Sequence, residues 1–355
     1  MADPHRVTLQ KSAGVVASRR HRRPALRRRG AAVLVVVAGL CLLIVVSLCV
    51  GARDIAPSVV WDALHGIGAG EDYRIVRDLR VPRTVAGVLV GLGLGIAGAI
   101  IQALTRNPLA DPGLLGVNAG AAVAVTIAVG AFGLTAPTAY VWFALCGAGL
   151  IAALVYLIGS AGRGGVDPVR LILAGVALAA VLGGIVTAIT LLNPDAFAQM
   201  RAWNAGTLVG RDFDVLRAAA PFLGVGILIA ALIGPSLSAL ALGDDAAAGL
   251  GASVRRTRTL SIIAITLLAG GATAIAGPIV FVGLMVPHAA RWLVGTDQRW
   301  ILLLSGLLAP SLLLVADVLG RLVMRPAEVP VGIVTAVLGG PMLMMLVRRR
   351  KVVGL

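Results

Sequence analysis

Lysine is almost missing from this chain: Lys11 and Lys351 are the only two in 355 residues. A phosphate-binding loop needs Gly-x-x-x-x-Gly-Lys-Ser/Thr, with the Lys reaching the phosphates. Neither Lys follows a glycine, so the motif is excluded, and any ATP that drives this protein is hydrolysed by another chain. Charge is scarce as well, at 13% of residues, where soluble domains carry about 25%. With 59% hydrophobic residues, a water-soluble fold would have no polar skin. Lipid is the solvent that suits this composition. Cysteine is limited to Cys41, Cys49 and Cys146, all in apolar runs and without the spacing of a metal site or a disulfide framework. The histidines are His5, His21, His65 and His288. Only His288 lies near an apolar run, and no Glu-x-x-His or His-x-x-x-His accompanies it. No metal site and no catalytic constellation is expected, so the chain is not read as an enzyme.

Acids at mid-membrane depth, which an ion-coupled carrier would be expected to keep, are also few. Asp317 sits four residues before Arg321, the spacing of a helical ion pair. Asp111 falls in a segment that Pro108 and Pro112 make a bend. A secondary carrier therefore has weak support, though it stays open as the alternative from another class. The net charge of +15 could suggest nucleic acid, but the Arg lie in a tail and in short loops, so no nucleic-acid partner is expected.

What is present is a series of apolar runs. About 20 residues of helix cross a ~30 Å hydrocarbon core. Such runs fall at 31–50, 84–104, 117–134, 137–159, 170–192, 216–234, 259–276, 279–295, 300–317 and 331–347. The fold class is thus an all-α polytopic membrane protein with about ten transmembrane helices: a basic tail, 1–30, read as disordered, precedes one membrane domain, 31–351. A basic tail before an apolar run also resembles a signal peptide, but the run is long for one and no small-x-small cleavage site follows, which favours a retained first helix. With the N-terminus placed in the cytoplasm, the inner segments hold 21 of the 31 Lys and Arg. Both termini then come out basic and cytoplasmic, consistent with the positive-inside rule. The series Gly87, Gly91, Gly95 and Ala99 lies on one helix face and lets backbones approach closely.

Two surfaces carry candidate function. On the outer side, Arg74, Arg77, Arg80 and Arg83 precede one apolar run, and Arg321 and Arg325 follow another. Exposed Arg contacts lipid headgroups or pairs with the carboxylates of an acidic partner. On the inner side, the longest loop, 235–258, holds a short helical pattern from Leu240 to Leu250, entered by Pro235 and left by Gly251. Asp244 and Asp245 at its start complement the helix dipole.

Six segments resemble, in order and spacing, the iron-chelate and cobalamin permeases of type II ATP-binding-cassette importers. They are Leu79-Arg80-Val81-Pro82-Arg83-Thr84, the run from Leu104-Thr105-Arg106-Asn107-Pro108 to Val117, Leu171 to Ala177, Leu240-Ala241-Leu242-Gly243, the run from Gly277-Pro278 to Pro287-His288, and Glu328-Val329-Pro330 to Ala336. The likeness covers 31–351 and is nearest to the ferric-enterobactin type. It implies translocation of a ferric siderophore across the cytoplasmic membrane, with cobalamin or haem as alternatives. It further implies a second permease subunit, a heterodimer favoured over a homodimer, two copies of a cytoplasmic ATPase and an extracytoplasmic binding protein. ATP and Mg would sit on the ATPase, leaving no cofactor on this chain. By the same likeness, Arg80, Arg83 and Arg321 dock the binding protein. Leu240, Gly243, Asp244, Asp245, Leu250 and Gly251, within 239–252, seat in the ATPase, and Gly162, Arg163 and Gly164 belong to the inner gate. The basic tail is assigned to cytosol or to anionic lipid.

Overall fold

A computed structural model describes the backbone of residues 4–161 and 167–350, and within these the side chains of 27–161, 167–345 and 348. The expected gate residues Gly162, Arg163 and Gly164 lie outside the described residues. All regular structure among the described residues is helical. The first helix, α1 (Pro4–Cys49), contains the apolar stretch Arg27–Cys49, and the expected boundary at residue 30 falls within it. Helices α2 (Pro57–Leu64) and α3 (Glu71–Arg74) follow, and a wide turn of helix at Ile75–Arg80 joins α3 directly to α4 (Val81–Thr105). After a tight turn at Pro112–Leu115 come α5 (Val117–Phe132), α6 (Pro137–Ser160), α7 (Pro168–Leu192) and α8 (Pro194–Asn204). The chain ends with α9 (Phe213–Leu240), α10 (Asp244–Gly249), α11 (Val254–Ala276), α12 (Val282–Val294), α13 (Gln298–Val323) and α14 (Val331–Arg350).

Local chemistry sets many of these boundaries. Helices α2, α6, α7 and α8 open with a proline at the first turn, where its missing N–H costs nothing and its φ is already helical. Asp167, Asn193, Asp212, Ser253 and Asp297 each accept a hydrogen bond from a backbone N–H of the first turn they precede, satisfying donors that have no helical partner. The polar stretches 51–83 and 193–215, between apolar runs, are partly helical, because α2, α3 and α8 occupy much of them. Pro235 does not open a new helix as expected; it lies inside α9, which continues to Leu240. The break comes at Gly243, whose φ of +120° suits glycine alone, and the short helix expected between Leu240 and Leu250 is therefore only Asp244–Gly249.

Seven helices among the described residues are long and apolar enough to cross a membrane. The other three expected runs form α5, α12 and α14, and the 13 residues of α12 rise only about 20 Å. The core is organised around α4, which packs along α13 on one side and α11 on the other. A Cβ on Gly91 would stand 2.5 Å from the Pro310 backbone, and one on Gly87 would stand 2.9 Å from Leu314 Cδ2. Carbon atoms favour about 3.5–4.0 Å, so the glycine face is what lets α4 and α13 touch. Close packing of small residues replaces the hydrophobic drive that lipid cannot supply.

Candidate functional site

Each end of α4 carries an arginine site. At its N-terminal end, Arg83 grips Asp317 of α13 through both carboxylate oxygens, with Nη2 2.7 Å from Oδ1 and Nε 3.0 Å from Oδ2. Its Nη1 donates to Glu328, just ahead of α14, at 2.6 Å. Arg321 meets the same Asp317 from one turn further along α13, through Nε at 3.0 Å and also through Nη2. One carboxylate thus answers two guanidinium groups, and Glu328 supplies the second negative charge. Burial makes such pairing obligatory, because an unpaired ion away from water is costly.

The same arginines close the end of α1. A helix leaves its last four carbonyls without a helical partner, and here those of Ser47, Leu48 and Cys49 find guanidinium donors. Arg321 Nη1 donates to the Ser47 carbonyl at 2.8 Å and the Val50 carbonyl at 3.1 Å. Arg80 Nη1 donates to the carbonyls of Leu48 and Cys49, both at 2.7 Å, and its Nη2 donates to Arg53. Gly51 leaves room for this, since a Cβ there would stand 2.8 Å from Arg80 Nη2. The hydroxyls of Ser47 and Thr84, 2.9 Å apart, complete the join between α1 and α4.

The three arginines expected on an exposed docking face are therefore mostly inside. Arg80 and Arg321 are buried, and only 12% of the Arg83 side chain is accessible. In sequence, Asp78 lies two residues from Arg80 and Asp317 four from Arg321, whereas Arg83 has no acid within four positions. In the fold it holds two acids, one of them 234 positions away. Exposed arginines near this cluster in sequence include Arg53, Arg74, Arg77 and Arg325. Arg53 pairs with Glu71 and Asp72, and Arg325 with Asp54 at 3.0 Å. The Arg325 hydrogen bond, helped by the Gly51 N–H, holds the Asp54 carboxyl below its ordinary value.

At the C-terminal end of α4, Asp244 is the convergence point. Arg106, the residue after α4, adopts φ +50° and donates to the Leu240 carbonyl at 3.1 Å and to Asp244. Arg258 of α11 reaches the other oxygen of Asp244 at 2.9 Å. The first residue of α10 is thereby tied to α4, to the end of α9 and to α11. Asp245 points outward, and Leu242 and Leu250, on either side of α10, are 71% and 68% exposed. These two leucines, Ser238, Ala239 and Gly251 border a groove of about 400 Å³. Leu240 is buried beneath it. Gly243 and Gly251, with φ of +120° and +79°, bracket the short helix.

Gln102 is a site residue that the sequence reading passed over. Its amide donates to the carbonyls of Gly283 at 3.3 Å and Leu284 at 3.1 Å, and its oxygen accepts from Arg291 at 2.7 Å. A lone glutamine in the apolar run of α4 was the available signal. Nearby, Asp111 accepts the Gly113 N–H at 2.9 Å and caps the Pro112–Leu115 turn. Burial pushes its carboxyl up, and that hydrogen bond opposes the shift.

Segments remote in sequence thus meet in pairs. The segment Leu79–Thr84 meets Glu328–Ala336 through Arg83 and Glu328. The segment Leu104–Val117 meets Leu240–Gly243 through Arg106 and the Leu240 carbonyl.

The model of the FecCD transport family matches residues 39–349. The chain is 48% identical over 318 residues to the ferric enterobactin transport system permease protein FepD of Escherichia coli (strain K12), covering 88% of this chain and 95% of that one. It is 42% identical over 320 residues to the iron(3+)-hydroxamate import system permease protein FhuB of Bacillus subtilis (strain 168), with 89% and 83% covered. Identity to the hemin transport system permease protein HmuU of Yersinia pestis is 35% over 320 residues, with 88% and 95% covered. In fold, the chain is similar to a metal-chelate type ABC transporter in an inward-facing conformation, with TM-score 0.79, 24% identity, and coverage of 90% of this chain and 99% of the other.

Proposed function

Since this chain belongs to the FecCD transport family, we infer that it is the membrane-spanning permease subunit of an ATP-driven importer of ferric siderophores. The observation that carries this reading is the nearly full-length likeness to a ferric enterobactin permease. It is a multi-pass protein of the inner membrane. Cobalamin or haem is the second substrate reading, and the likeness to a hemin permease keeps haem in it.

In this reading the chain crosses the membrane about ten times, with the shorter α5, α12 and α14 completing the seven long helices, and both termini face the cytoplasm. Residues 1–30 form the cytoplasmic tail and 31–351 the permease domain. A separate ATPase, present in two copies, binds Mg and ATP and seats against α10. The exposed Leu242 and Leu250 support that seat, as does Asp244, through which a push on α10 reaches α4 and α11. Gly162, Arg163 and Gly164 keep their assignment to the inner gate. A second, non-identical permease subunit covers the apolar face of α7, where Leu173, Val176 and Val181 are exposed. The binding protein docks at the outer end. Arg83 is the partly exposed member of the expected trio, and Arg74, Arg77 and Arg325 form an accessible rim around it.

The test is uptake of radio-iron as a ferric siderophore in cells lacking this chain. Wild-type protein restores uptake. Leu250→Asp reduces it at least tenfold and lowers co-purification of the ATPase, with membrane insertion unchanged. Uptake that survives ATP depletion and collapses with a protonophore identifies a secondary carrier instead.

A further inference from the structure

A cavity of about 510 Å³ opens between α9 and α13 with α4 as its floor. Its lining is apolar except at one end. Leu92 and Ile96 form the floor, Ala231 and Gly234 one wall, and Leu303 and Gly306 the other. Gly306 is what deepens it, for a Cβ there would stand 3.3 Å from both Leu92 Cδ2 and Ile96 Cδ1. Along α13 the lining runs from Arg299 to Leu307, about 12 Å at helical rise.

Arg299 stands at the mouth. Its side chain is exposed, and among the described residues no carboxylate pairs with its guanidinium. The neighbouring acid is already engaged, because Asp297 accepts the Arg299 backbone N–H at 3.1 Å and pairs with Arg29 at 3.4 Å. The N-terminus of α13 adds partial positive charge. Arg29 stacks over Trp300, 5.9 Å from its ring centroid, and Trp292 is exposed close by in sequence. Aromatic and basic residues of this kind gather at membrane–water interfaces. The mouth lies at the α10 end of the molecule, since the Gln298 N–H contacts the Ser238 hydroxyl at 3.3 Å near the end of α9.

We propose that this groove is a binding site for an anionic glycerophospholipid of the inner leaflet, its acyl chain between α9 and α13 and its phosphate on Arg299. A hydrocarbon chain suits the lining, and a free cation over an apolar slot suits a headgroup that brings its own negative charge. The assignment of this end to the inner leaflet rests on the topology proposed above.

Photo-crosslinking in nanodiscs tests it, using phosphatidylglycerol and phosphatidylcholine that carry a photoreactive acyl chain, with the full chain reconstituted. Residues 227–235 and 299–307 should be labelled by phosphatidylglycerol about fivefold more than by phosphatidylcholine, the increment expected for one basic side chain at a membrane surface. Arg299→Gln should erase that preference, while Ala231→Phe should cut labelling by both lipids by filling the slot. Equal labelling by the two headgroups in the wild type overturns the proposal. So does groove labelling no stronger than that of the exposed faces of α1 and α7, or protection of the groove by a protein copy. Neither ATPase nor transport enters the readout, so failure of the importer reading would leave this result standing.

Discussion

Asp317 answers two guanidinium groups with one carboxylate, and among the described residues its neutralisation leaves Arg321 without a carboxylate and Arg83 with Glu328 alone. Breaking a buried ion pair by removing one partner costs about 3–5 kcal/mol. Glu328 is partly exposed and shares Arg83 with Asp317, so its loss should cost about 0.2–1 kcal/mol, the range of accessible pairs. Asp317→Asn is therefore expected to lower the melting temperature of the solubilised chain far more than Glu328→Gln. Equal losses would mean that the Asp317 cluster is held together by something other than charge. The sequence disclosed one edge of this cluster, the spacing of Asp317 and Arg321. The edges that bury it, from Arg83 to Asp317 and from Arg321 to the end of α1, span more than 200 positions. No local pattern encodes a contact at that separation. A triple reversal of Arg80, Arg83 and Arg321 would dismantle the join between α1, α4 and α13, so docking is better probed at Arg74, Arg77 and Arg325.

Elements were more legible than contacts. Apolar runs marked the long helices, because length and hydropathy are local properties. Gly87, Gly91 and Gly95 announced a contact face without naming the partner, which the fold supplies as α13. Where local rules failed, packing overrode them: α9 carries Pro235 inside its length, and Gly243 rather than Pro235 separates it from α10. The glycine face supports a contrast between two helices. Gly91→Ala forces a methyl against the Pro310 backbone and should cost about 1–3 kcal/mol, as overpacking does. Gly183→Ala in α7 meets nothing within 4 Å and should be neutral or stabilising by up to about 1 kcal/mol from helix propensity. Thermal unfolding of the isolated subunit reads both. Similar losses at the two positions would show that α4 and α13 are not in the contact described.

For the whole molecule, the distribution of Lys and Arg predicts sidedness. In a chain whose three cysteines are replaced by serine, Gln10→Cys and Leu355→Cys should resist an impermeant thiol reagent in intact cells, and Ala69→Cys should react. Labelling at either terminus would overturn the cytoplasmic placement and with it the count of about ten crossings. If the sidedness holds, α4 joins the Arg83 cluster on one face to the Arg106 cluster on the other. Its 25 residues give a rod about 37 Å long, with Arg83 near one tip and Arg106 just past the other. A hydrogen-bonded helix locked between α11 and α13 can neither stretch nor shorten appreciably. News of an event on one side of the membrane can then travel along α4 as tilt or rotation of a strut of fixed length, so a small angular change at Arg83 arrives at Asp244 as a sideways sweep.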